Sequence, residues 1–296
     1  MADALPVRCG ATFKEAHGMN RVGQGTGVAV LLLALAGCGK EQAGTPDAAP
    51  AVPDAAGAPA PADEAPATTV LQDVIENDPR YVVGISYPPA ANKYPGLAQE
   101  LGAYADKAEA DLLKAVDELG NDQPRAPYEL SLAFDLLVET PQIVAVAAEG
   151  SSYTGGAHGQ PLVARFVWLP QQERMLTAQA LVDSPAGWKA ISVYTGDKLL
   201  EQALIRAQGE DMTPEEQQAQ VRNLSKTIDE GTAPDAANFA QFQPVMDAAG
   251  HVAALRFVFP PYQVGPYSDG TRTVDVPAAV LLPHVAAAYR ELFAQP

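Results

Sequence analysis

The sequence predicts an α+β protein: antiparallel sheets packed with helices, in two successive subdomains, behind a disordered N-terminal tether. Three observations predict it. Strand-like apolar patterns come in two blocks, 69–168 and 242–276. Helical periodicity falls at 95–119 within the first block, then between and after the blocks, instead of alternating with each strand, and residues 39–68 hold hardly any side chain able to fill a core. Strands this close in sequence imply antiparallel pairing.

The 296 residues carry a formal net charge of −17, with 47% hydrophobic residues. That is enough apolar material for a real core. So negative a chain repels phosphate backbones, so no nucleic acid is expected as a partner, and cationic partners are favoured. Cys9 and Cys38 are the only cysteines. They build neither a disulfide framework nor a thiolate cluster. Beyond residue 38 the histidines are His158, His251 and His284, far apart and without His-Glu-x-x-His spacing. No metal and no cofactor are expected.

Residues 1–37 read as a signal peptide, with Met19 as a candidate true start. Arg21 precedes a short apolar run, 27–37, too short to span a bilayer. Leu35-Ala36-Gly37-Cys38 resembles a bacterial lipobox, which implies cleavage before Cys38 and a lipid on its thiol. Removing 1–37 takes away Arg8, Lys14 and Arg21 against Asp3 and Glu15, so the balance moves from −17 to −18. Residues 38–68 then form a lipidated cysteine and an Ala/Pro-rich linker, reaching roughly 30 Å as a coil or ~90 Å fully drawn out. The expected location is the bacterial cell envelope, held to a membrane by the lipid and facing the periplasm. Gly39 in place of aspartate favours the outer membrane.

Two strands, 69–76 and 81–87, are expected on either side of Asn77-Asp78-Pro79. Leu97, Leu101, Tyr104, Ala108, Leu112, Ala115 and Leu119 recur at steps of three and four, which predicts a helix over 95–119 stopped by Gly120. Residues 128–138 alternate, with Leu130, Leu132 and Phe134 on the core side, and a hairpin joins them to 143–153. A further strand covers 162–168. Next come a helical pair interrupted near Gly196 and a surface helix opened by the capping box Thr213-Pro214-Glu215-Glu216 and closed by Gly231. Strands at 242–246 and 251–259 flank the turn Asp247 to Gly250. Loop 260–270, strand 271–276 and a C-terminal helix over 283–293 complete the order.

One stretch breaks the pattern. Tyr153-Thr154-Gly155-Gly156-Ala157-His158-Gly159 places three glycines among five residues between two strands, where bulky side chains would pack better. Glycines there allow positive φ or a close approach, and they frame one phenol and one imidazole. The candidate ligand-binding residues are Tyr153, Gly155, Gly156 and His158, with Tyr262 and Tyr267 from the Pro- and Gly-rich loop 260–270. Tyrosines beside glycines and prolines stack on sugar rings or anchor protein interfaces. A packed histidine bonded to nearby backbone is the plainer role for His158.

That stretch, followed a hundred residues later by Phe257-Val258-Phe259-Pro260-Pro261-Tyr262-Gln263-Val264-Gly265-Pro266-Tyr267-Ser268-Asp269-Gly270, resembles a known family. The family comprises the paired extracytoplasmic domains shared by the lysozyme-sensing anti-sigma factor RsiV and the non-catalytic N-terminal part of the peptidoglycan deacetylase PdaC. The resemblance covers about 69–296 and implies a PdaC-like N-terminal domain at 69–160 and an RsiV-like C-terminal domain at 161–296, both α+β and both in the cell envelope. The expected function is a non-enzymatic, lipid-anchored binding module recognising a cationic lysozyme-like protein or peptidoglycan. The alternative is an envelope hydrolase acting on a peptidoglycan-type substrate through His158 and Tyr153, although no Gly-x-Ser-x-Gly nucleophile elbow is present.

Overall fold

The computed structural model describes residues 70–207 and 212–295. The expected signal peptide, Cys38 and the linker lie outside these residues. The fold class is α+β, with a six-stranded sheet, a three-stranded sheet and helices.

The first sheet is built from β1 (Val74–Asn77), β2 (Tyr81–Ser86), β3 (Tyr128–Glu139), β4 (Val144–Tyr153), β5 (Gln160–Leu169) and β6 (Arg174–Met175), in that spatial order. The sequence implied antiparallel pairing throughout. Instead β2 and β3 run parallel, so the sheet is mixed. The cause is helix α1 (Pro95–Glu118), whose 24 residues carry the chain back across the sheet before β3 begins. Only such a crossover brings two strands of one chain side by side in the same direction.

α1 covers one face of this sheet. Leu97, Leu101 and Leu112 meet Leu130, Leu132 and Phe134 in one core cluster. The other face carries a second core. Along β4, Val144, Val146 and Ala148 join the α1 side, whereas Ala145 joins the opposite cluster with Val167 and Leu169 of β5. β4 is buried on both faces, hence its continuous apolar run. A bulge at Leu137, between Leu136 and Val138, turns Val138 to the second core.

The second core is shared with β7 (Phe242–Met246), β8 (Val252–Phe259) and β9 (Arg272–Pro277), an antiparallel sheet, and with helices α2 (Ala178–Leu181), α3 (Pro185–Ala207), α4 (Pro214–Gly231) and α5 (Ala278–Leu281). Trp188 stacks on Phe239 at 5.4 Å, and Phe239 meets Phe257 edge-on at 5.2 Å. Such pairs add roughly 0.5–1.5 kcal/mol each beyond the area they bury. Arg165, its side chain 6% exposed, clips the two sheets together: its backbone N–H donates to Gln241 and its Nε to Gln243, both at 2.7 Å.

The boundary expected between 160 and 161 falls inside the first sheet. β5 pairs along its length with β4, Ser152 with Gln160 and Ser151 with Pro161.

Two helical expectations need correction. α3 runs through Gly196 unbroken; Gly196 faces Thr232 and Ile228 at the end of α4, which a Cβ would meet at 3.6 and 3.9 Å, an ordinary packing distance. It is a packing position, not a break. The helix expected over 283–293 does not form: α5 ends at Leu281, and 283–293 holds a short 3-10 segment, Ala287–Leu292. Backbone groups there bond elsewhere: Ala286 N donates to Leu181 O at 2.9 Å and Ala294 N to Val252 O at 3.0 Å. The spacing of Val285, Tyr289 and Phe293 reflects burial without α-helix.

Candidate functional site

The glycine-rich stretch forms the β4–β5 connection. Gly155 and Gly156 take φ values of +96 and +98, which a side chain would strain. The turn they make lifts His158 into solvent. Tyr153 closes the turn from within, its hydroxyl donating to Gly156 O at 3.2 Å.

The opposing wall comes from the β8–β9 loop, 260–271. Gln263 anchors this loop: its Nε2 donates to Gly231 O at 2.9 Å and to Asn238 O at 2.8 Å. Gly231 permits the approach, since a Cβ there would lie 1.9 Å from Gln263 O. Val264 is buried beside it. Tyr262, just before the anchor, adopts φ +74, a left-handed conformation costing a non-glycine residue about 1 kcal/mol or more. Tyr262 is 55% exposed and Tyr267 36%.

These loops meet through three rings. His158 stacks on Tyr267 with centroids 3.9 Å apart and planes 17° from parallel. Tyr262 stands 6.3 Å from His158 and 5.6 Å from Tyr267, tilted to both. His158 Nδ1 lies 3.0 Å from Gly159 O, and Nε2 lies 3.0 Å from the Tyr262 hydroxyl. A carbonyl only accepts, so Nδ1 carries the proton and Nε2 accepts from Tyr262. The Tyr267 hydroxyl donates to the same Gly159 O at 3.4 Å.

Of the residues singled out in the sequence, the structure brings His158, Tyr262 and Tyr267 together. Tyr153, Gly155 and Gly156 shape the turn beneath them, and the imidazole pairs with Tyr262, not with Tyr153. The expected role of His158 as a packed ring is half met: it bonds backbone as foreseen, but it does so in the open.

Tyr262 also lines a cleft of about 470 Å³ between α3, α4 and the loop. Its other polar walls are Arg206, Gln220, Asn223, Thr227 and Asp269. Arg206 Nη2 stands 3.3 Å from Asp269 Oδ2, and Arg272 Nη2 holds the same oxygen at 3.1 Å. Gln220 Oε1 is buried with no hydrogen-bond partner among the described residues. Sequence reasoning passed over these side chains. The available signal was the 220, 223, 227 spacing, which sets three polar groups along one flank of the thin apolar stripe of α4.

A second cavity, about 430 Å³, opens beside Lys93, Tyr94, Trp168 and Glu173. Glu139 accepts from Lys93 Nζ at 2.9 Å and from the Tyr94 hydroxyl at 3.0 Å, and these bonds hold its carboxyl below the usual range. Among the described residues no cluster of three or more His, Cys, Asp or Glu is placed to hold a metal ion, and no helix is long and apolar enough to cross a membrane.

Residues 75–160 match the family model described as Deacetylase PdaC. This segment, under a third of the chain, is thus similar to a PdaC-type domain. The PdaC match spans β1 to the start of β5 and includes the glycine-rich turn with His158. No curated protein matches the chain. Among solved structures, the chain is similar to a DUF3298 family protein from Pseudomonas aeruginosa PAO1, at 16% identity and a TM-score of 0.45, over 76% of this chain and 94% of that one. It is similar also to a DUF3298 family member from Bacteroides fragilis NCTC 9343, at 16% identity and a TM-score of 0.42, over 74% and 94%.

Proposed function

We propose that this protein is a non-enzymatic, lipid-anchored binding module of the bacterial cell envelope, and that peptidoglycan is its ligand. One observation carries the reading: three aromatic rings from two distant loops stand together in solvent, and one of them continues into a mainly apolar cleft edged by polar side chains. Exposed rings cost solvation and need a reason. Rings flanked by amide, carboxylate and guanidinium groups suit sugars, whose apolar faces stack while their hydroxyls bond in the plane. The lipobox-like sequence before Cys38 and the linker beyond it supply the anchor and the reach. Outer-membrane attachment, facing the periplasm, would set the module against the cell wall.

The net charge of −17 favours a second reading, in which the partner is a cationic, lysozyme-like protein drawn in by electrostatic steering. The two separate by salt. The full chain is mixed with purified peptidoglycan sacculi, or with immobilised lysozyme, at low and high ionic strength. The proposal expects co-sedimentation with sacculi that persists at high salt. Capture by lysozyme alone, lost at high salt, would replace it with the second reading.

A further inference from the structure

We propose that the cleft between α3, α4 and loop 260–271 is a saccharide subsite that takes one N-acetylated hexosamine unit. This deepens the peptidoglycan reading and rests on it.

The chemistry is set by what lines the cleft. Its volume, about 470 Å³, falls in the range of roughly 300–1,000 Å³ usual for small-molecule sites. Its apolar lining, with Ala203, Leu224, Pro266 and Tyr262, suits the carbon face of a pyranose and an acetamido methyl. Between these sit planar polar groups. Asn223 offers both a donor and an acceptor, the combination an acetamido group requires, since that group presents one N–H and one carbonyl. The buried Gln220 Oε1, unpartnered among the described residues, is an acceptor that a ligand hydroxyl would satisfy. An orphaned buried acceptor of this kind costs about 1–3 kcal/mol, which binding relieves.

Charge argues the same way. Asp269 already neutralises Arg206 at the cleft wall, with Arg272 on the same oxygen, so the chamber presents no bare carboxylate. The carboxylate is thus occupied by ion pairs, and the amide and hydroxyl groups of Gln220, Asn223 and Thr227 are left to bond a ligand's hydroxyls. The strained backbone of Tyr262 gives the arrangement its geometry: the residue is turned out of the loop at φ +74, its hydroxyl is held by His158, and its ring is left at the cleft. The histidine thus acts as a positioning residue for the stacking face.

The test is a titration of the full chain with chitotetraose, the β-1,4-linked tetramer of N-acetylglucosamine, followed by calorimetry. Cellotetraose serves as the comparison, having the same linkage without acetamido groups. The proposal expects saturable binding of chitotetraose, at least about tenfold tighter than cellotetraose, weakened about tenfold by Tyr262→Ala and several-fold by Asn223→Asp. Leu224→Trp, which fills the cleft, should abolish it. Melting temperatures of the three variants separate lost contacts from lost folding, and any one that stays folded suffices. Equal affinity for the two tetramers, or chitotetraose binding untouched in the folded variants, overturns the subsite. Failure to bind chitotetraose by a chain that still pellets with sacculi overturns the subsite alone, whereas failure with both overturns the envelope-binding reading as well.

Discussion

The Tyr262 hydroxyl lies 3.0 Å from His158 Nε2, joining residues 104 positions apart in the chain. This contact ties the β4–β5 turn to the β8–β9 loop, so the segment that matches the PdaC model and the second sheet contribute to one surface. Deleting it should therefore affect binding more than stability. His158→Ala removes an exposed ring and is expected to lower stability by less than about 1 kcal/mol, while reducing sacculus binding about fivefold or more. Thermal melts and co-sedimentation of the same preparation check both halves.

Gly231→Ala should behave in the opposite way. A Cβ at 231 would lie 1.9 Å from Gln263 O, so the loop must move off the end of α4 and its two anchoring bonds from Gln263 loosen. We expect a loss of about 1–3 kcal/mol in chemical denaturation, with chitotetraose binding impaired because Tyr262 moves with the loop.

The capping box of α4 offers a milder test. Thr213 Oγ1 accepts from Glu216 N at 3.3 Å, and the Glu216 carboxylate accepts from Thr213 N at 2.9 Å. Thr213→Ala should cost about 1 kcal/mol, lowering the melting temperature by roughly 2–4 °C. The bond from Thr213 N also holds the Glu216 carboxyl below its usual range, so its contribution is present above the unfolded pKa and fades as pH falls through the folded value.

Tyr87 predicts behaviour in alkali. Burial, then the neighbouring carboxylates Asp106, Glu109 and Asp73, push its phenol from 10.0 up to about 12. A folded pKa raised above the unfolded one makes stability full below pH 10 and progressively lost between 10 and about 12. Tyr87→Phe keeps the ring stacked on Phe134, at 4.8 Å, and should flatten that loss. Denaturant midpoints measured at pH 8 and pH 11 check it.

The sequence made some of this visible and hid the rest for physical reasons. Alternation in β3 could be read directly because its flanks meet different media, core on one side and water on the other, and the α4 capping box is a local motif that needs no tertiary context. The parallel pairing of β2 with β3 was hidden, since strand direction is decided by where α1 packs, which no local pattern encodes. Gly196 misled because a glycine tolerated inside a packed helix reads the same as one that ends a helix. At the site, His158, Tyr262 and Tyr267 stood out through glycine and proline neighbours, yet their stacking depends on two loops meeting in space. Arg206, Gln220 and Asn223 look like ordinary polar helix residues until α3 and α4 are set side by side.

The central claim is that the exposed rings are the binding surface. It is tested most directly by the fraction of protein retained on peptidoglycan sacculi by the full chain and by the Tyr262→Ala/Tyr267→Ala variant, at matched melting temperatures. The account predicts that retention falls about tenfold or more in the variant. Equal retention by the two proteins would contradict it.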